Sequence, residues 1–231
     1  MSPTPPAMDL DPVRRAVFAQ ELRIALAAQC PGSVAVLRGS LARGTADAYS
    51  DIDLAWTVPD AQFEACVAAV EACLGAVRPV VSLRSDPDFQ RSCSRRLLFL
   101  AFRDMPLFWR LDLEVAAVSD EQAGPAGAGP GGGPHPPDGG SPAVVRDPEW
   151  SLAASALANG VAVVKAVLRG QQEVAAELLE RGLRRVGASG SASGRWRADV
   201  ARLADAAARH EPAQRPLADQ VRRLAAELLE G

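Results

Sequence analysis

An α/β or α+β core with helices packed on a sheet, followed by an all-α bundle, is the fold class this 231-residue chain predicts. Three observations carry it. Residues 51–58 alternate strictly, with Ile52, Leu54, Trp56 and Val58 on one face and Asp51, Asp53, Ala55 and Thr57 on the other. Helix-like and strand-like segments succeed one another up to residue 118. Beyond residues 124–142, which are almost wholly Gly and Pro, only helical periodicity remains.

The elements follow in order. Asp11-Pro12 is a helix start, and Val13, Val17, Leu22, Ile24 and Leu26 supply apolar spacing up to Cys30-Pro31-Gly32. Ser33 to Leu37 reads as a short buried strand, broken by Gly39-Ser40, and the alternating strand comes next. Pro59-Asp60 opens a second helix running to about Leu74. Val77 to Leu83, Leu97 to Phe102 and Leu107 to Val115 read as strands, the last two joined by Arg103-Asp104-Met105-Pro106. Residues 119–148 read as a flexible Gly/Pro-rich linker. Trp150 to Arg169 is apolar nearly all round, as in a helix buried among others, and further helices are expected at 171–186, 195–210 and 216–230. The domains are therefore 1–118, linker 119–148 and 149–231.

Composition narrows the function. Apolar residues make up 48% and charged residues 23%, enough for a sizeable core. A net charge of −3 argues against a nucleic-acid partner recruited by bulk charge. No run of about 18 apolar residues exists, so no membrane span is expected. The opening MSPTPPAMDLDP lacks the blocks of a signal peptide, so the chain reads as cytoplasmic. Cys30, Cys66, Cys73 and Cys93 form no CxxC pair and read as buried reduced thiols. One lysine, Lys165, stands among 24 arginines, and the two histidines, His135 and His210, suit no catalytic arrangement.

One constellation carries chemistry. Gly39-Ser40-Leu41-Ala42-Arg43-Gly44-Thr45 is followed closely by Ser50-Asp51-Ile52-Asp53-Leu54. Acids at i and i+2 of a strand project from one face, and uncompensated they repel or demand a cation. A hard ion such as Mg²⁺ meets that demand with carboxylates and phosphate oxygens. Gly39 permits close backbone approach, and free N–H groups with the Ser40 hydroxyl suit a phosphate. A third carboxylate is expected on a neighbouring strand. Leu111-Asp112-Leu113-Glu114-Val115 supplies it, with Asp112 preferred because apolar residues flank it tightly. Three carboxylates can hold two metals, one beside the acceptor oxygen and one on the triphosphate.

The pieces GSLARG, SDIDL and LDL, spread over roughly residues 33–115, resemble the nucleotidyltransferase superfamily of DNA polymerase β. More narrowly they are similar to bacterial aminoglycoside adenylyltransferases and minimal nucleotidyltransferases. The resemblance implies a mixed-sheet catalytic core and a helical domain closing over the substrates. It implies that Gly39 and Ser40 bind the triphosphate, that Asp51, Asp53 and Asp112 are the catalytic, magnesium-ligating acids, and that Lys165 reaches the phosphates. It also implies ATP or another NTP as donor and a small-molecule acceptor such as an aminoglycoside-like antibiotic. Two other readings stand beside it: a toxin–antitoxin type enzyme modifying a protein or RNA, and a non-catalytic nucleotide-binding module.

Blander roles compete at single positions. Arg43 is either a phosphate contact or a surface arginine, and Lys165 either a phosphate ligand or a snorkelling cation. Glu149 is either a general base or a first-turn charge on its helix. The proton of the attacking hydroxyl goes to a carboxylate, Asp112 being one candidate. Trp56 and Trp109 read as core, and Arg38, Arg84 and Arg110 are given no role.

Overall fold

A computed structural model describes residues 10–122 and 150–230. The chain divides into two compact units, Met1–Asp147 and Pro148–Gly231. Among the described residues no helix is long and apolar enough to cross a membrane.

The first unit begins with α1, Pro12–Gln29. Asp11 caps it by accepting from the Val13 amide at 2.9 Å, and Pro12 takes the first turn, where its missing N–H costs nothing. Its buried face is Arg15, Phe18, Ala19, Leu22 and Leu26. Val13, Val17 and Ile24 are exposed, so the expected apolar stripe splits in two. At 100° per residue, 15, 18, 19, 22 and 26 share one face, which 13, 17 and 24 do not join.

Among the described residues five strands form one sheet: β1 Val34–Leu37, β2 Ile52–Val58, β3 Val80–Ser85, β4 Arg95–Phe102 and β5 Leu111–Ala117. Their order is β1-β2-β5-β4-β3, with β2 and β5 parallel and every other pair antiparallel, so the sheet is mixed. The expected buried strand at 33–37 is an edge strand with Val34 and Val36 exposed and only Ala35 buried. The expected strand 107–115 opens as a 3-10 turn at Leu107–Trp109, after Pro106, and becomes extended only at Leu111.

Helix α2 is the short turn Gly39–Arg43 after β1, and α3 runs Phe63–Val77. α1 and α3 pack on each other and on the sheet. Against them lie Ile52, Leu54, Trp56 and Val58 from β2, Leu98, Leu100 and Phe102 from β4, and Leu111, Leu113 and Val115 from β5, all buried. Trp56 and Trp109 are fully enclosed, as expected, and the Trp56 indole donates to Ser33 Oγ at 2.9 Å. The opposite face of the same strands carries Asp53, Thr57, Phe99, Asp112 and Glu114, none fully buried.

Helix α4, Val118–Gln122, corrects the linker start at 119. Ser119 donates its amide to Asp60 and Asp120 accepts from Ser94 Oγ, which ties this turn to the first unit. The remaining linker positions, with His135 and Glu149, lie outside the described residues. The thiols also divide: Cys30 and Cys66 are buried as expected, Cys73 is half-buried, and Cys93 is exposed.

Among its described residues the second unit holds four α-helices, α5 Leu152–Leu168, α6 Gln172–Arg185, α7 Trp196–His210 and α8 Arg215–Leu228, with a 3-10 turn Pro212–Gln214 before the last. Ser151 caps α5 by accepting from the Ala154 amide at 2.9 Å. Leu203 of α7 fills the notch left by two glycines. A β-carbon on Gly182 would lie 2.9 Å from its Cδ2, and one on Gly160 3.6 Å away.

Candidate active site

The acids sit where sheet register brings them together. Asp53 on β2 pairs directly with Asp112 on the adjacent parallel β5, so both side chains leave the same face about one strand spacing apart. Asp51, two residues before Asp53, ends the loop into β2, and the Ile52 amide bonds the Arg110 carbonyl at 3.0 Å. All three carboxylates are half-exposed.

The loop ahead of them is tightly organised. Asp47 Oδ1 accepts from the Tyr49 amide at 3.0 Å and from Ser50 Oγ at 2.9 Å, while the Asp47 amide bonds Ser50 Oγ at 3.1 Å. From the core, buried Arg15 donates to the Asp47 carbonyl and, at 3.2 Å, to that of Ser50. Tyr49 packs edge-on against Phe108 with centroids 5.4 Å apart. The chain thus enters Asp51 from a braced turn. Arg15 lay outside the sequence reading, although an arginine in phase with Phe18, Leu22 and Leu26 was its visible signal.

Gly39 lies beside the acids. Its φ is +57°, a left-handed value that side chains disfavour, and a β-carbon there would stand 1.9 Å from Asp53 Oδ2. Only glycine lets the turn into α2 pass under that carboxylate. Ser40 follows, half-exposed, and the Arg38 amide bonds the Asp53 carbonyl at 2.8 Å. Gly39, Ser40, Asp53 and Asp112 therefore meet at one end of the sheet. Arg43 is exposed in the last turn of α2. Lys165 belongs to the second unit, half-exposed in the last turn of α5.

Arg110 was given no role, yet it is the main electrostatic feature here. Two residues before Asp112, it shares that residue's face and grips both carboxylate oxygens, Nε to Oδ1 at 2.7 Å and Nη2 to Oδ2 at 3.1 Å. Burial works against its charge. The ion pair and hydrogen bonds with Asp112, then the charges of Asp51 and Asp53, outweigh that and raise its pKa. The guanidinium is thus paired with Asp112 and feels the charges of Asp51 and Asp53.

The donor set is all carboxylate oxygen, which suits a hard divalent cation such as Mg²⁺. Among the described residues, however, no group of three His, Cys, Asp or Glu is gathered closely enough to hold a metal as it stands. With Arg110 on both Asp112 oxygens, a metal and the guanidinium would compete for that carboxylate. Set against known proteins, the chain matches no family model, no curated protein and no solved structure.

Proposed function

We propose that this chain is a magnesium-dependent nucleotidyltransferase, moving a nucleoside monophosphate from ATP or another NTP to a hydroxyl of a small-molecule acceptor. The observation that carries the reading is the direct pairing of Asp53 with Asp112 beside a Gly39 turn that tolerates no β-carbon. Metal and phosphate ligands are wanted at that same spot by a triphosphate reaction.

Asp51, Asp53 and Asp112 would hold the metal, once Arg110 releases Asp112. Bound there, Mg²⁺ supplies charge neutralisation for the triphosphate and the transition state. Gly39 and Ser40 orient the triphosphate with the α-phosphorus toward the acids. The acceptor oxygen forms a bond to that phosphorus, the bond from it to the bridging oxygen breaks, and pyrophosphate leaves with the electron pair. The hydroxyl proton passes to a carboxylate, for which Asp112 is one candidate. Arg110, freed from Asp112, keeps a cation beside the three acids, over the Phe99 ring.

A second reading, a nucleotide-binding module without turnover, is favoured by the bidentate hold of Arg110 on Asp112. Pyrophosphate release with Mg²⁺ and ATP separates the two, and mass spectrometry of candidate acceptors for an added nucleotide identifies the product. The role of Lys165 on the phosphates rests on the family resemblance. Lys165→Ala is expected to raise the KM for NTP tenfold or more with the fold intact. Wild-type kinetics would return it to a surface role.

A further inference from the structure

The side of the sheet beyond Asp112 points to the acceptor's charge, given the transfer reaction proposed above. Register places one residue per strand in a single row across the open face. Arg38 of the β1 end adjoins Asp53 of β2, Asp53 pairs with Asp112 of β5, Asp112 with Phe99 of β4, and Phe99 with Arg84 of β3. Gly39 and Ser40 lie at the Arg38 end of this row, so the triphosphate belongs there. The acceptor then approaches from the other end, over Phe99 and Arg84.

That end is cationic. The Arg84 guanidinium lies 5.8 Å from the Phe99 ring centroid and the Arg110 guanidinium 5.4 Å from the same centroid, so one ring steadies both. The row, with the positions two residues before its two acids, holds Asp51, Asp53 and Asp112 and an equal number of arginines, Arg38, Arg84 and Arg110. One step further along, Glu114 and Asp120 are engaged by Arg95, at 2.5 and 3.7 Å. A polycationic acceptor finds no surplus of carboxylates here.

We infer that the acceptor is a small hydroxyl-bearing anion whose phosphate or carboxylate is taken by Arg84, on the far side of Phe99 from the reacting oxygen at Asp112. Two strand spacings separate those rows, about 10 Å, a span suited to a sugar phosphate or a hydroxy acid. The planar fork of arginine matches either anion.

The test incubates the full chain with Mg²⁺ and ATP labelled at the α-phosphate, against three acceptor pools. These are hexose phosphates with hydroxy acids, polycationic aminosugars, and oligoribonucleotides. The label is expected in the anionic small molecules. Arg84→Glu is expected to cut that transfer at least tenfold through the acceptor KM, with the KM for ATP within twofold and an unchanged melting temperature. Arg84→Lys, which keeps the charge and loses the planar fork, should fall between wild type and the glutamate variant, and Arg84→Gln serves if the glutamate variant misfolds. Preferential labelling of aminosugars or RNA ends, or indifference to Arg84, overturns the inference while the transferase reading stands. Absence of Mg²⁺-dependent ATP binding by calorimetry, together with absence of any labelled product, removes the transferase reading and this inference with it.

Discussion

The two faces of the sheet in the first unit are built from alternate residues of the same strands, yet they do opposite work. On β5, Leu111, Leu113 and Val115 vanish against the helices while Asp112 and Glu114 stay half-exposed and bonded to arginines. On β4, Leu98, Leu100 and Phe102 are buried, and Leu97, Phe99 and Ala101 are not. One face is held by apolar burial, which is non-directional and tolerant of polar change elsewhere. The other is held by register, which sets acids and guanidiniums against each other residue by residue. Stability and chemistry are thus separable by a single step along the chain.

Substitutions one residue apart should therefore fail in different ways. The largest effect is expected from Asp53→Asn, which keeps shape and removes charge. Nucleotide transfer should fall by more than about 10³-fold, roughly 4 kcal/mol of transition-state stabilisation, while the melting temperature barely moves. Turnover within threefold of wild type would remove Asp53 from the chemistry. On the covered face, Trp56→Ala should do the reverse, costing about 3–5 kcal/mol in denaturant unfolding through the cavity it leaves. A cost below about 1 kcal/mol would mean that this face relaxes freely.

Arg110→Met sharpens the open-face picture, because it removes the cation that competes with a metal for Asp112. Mn²⁺ affinity is expected to rise about tenfold, read by titration against free Mn²⁺. Weaker Mn²⁺ binding in that variant would make Arg110 a support of the site rather than its competitor. The smallest effect concerns the thiols. Burial, then a hydrogen bond with Cys30, pushes the Cys66 thiol up from 9.0 to about 12. At pH 8 a thiol reagent should modify exposed Cys93 rapidly and leave Cys66 intact. Because Cys66 holds its proton more tightly when folded, its contribution to stability is full below about pH 9. It declines as pH rises from there toward 12. Rapid modification of Cys66 in the folded protein at pH 8 would refute this.

What was legible in the sequence follows the same division. Period-two alternation marked β2 and the covered residues of β5, and a continuous apolar run marked β4, because burial leaves a pattern in residue type. The three acids and the Gly-Ser turn were visible as local spacings. Their meeting depends on β2 lying parallel beside β5, a pairing between segments some sixty residues apart that no local signal encodes. Arg110 carries no signal in residue type alone, because its role lies in the acid its guanidinium closes on. Two residues apart on one strand, the pair already shared a face. Arg15 was missed for a different reason. Val13, Val17 and Ile24 drew the apolar stripe to the wrong side of α1, and a buried arginine reads as polar noise until the carbonyls it serves are seen. The strand expected at 107–115 failed at its start, where Pro106 sets a 3-10 turn that apolar composition cannot reveal.

Gly39 has a consequence at the level of codons. Every single-base change of a glycine codon that yields another amino acid introduces a β-carbon, and at this position any β-carbon strikes the Asp53 carboxylate. The residue therefore has no neutral neighbour in the genetic code. In a saturation library selected for activity, position 39 should stand as an isolated cliff, whereas Gly44, whose β-carbon would meet nothing within 4 Å, should show a gentler slope set by backbone strain alone.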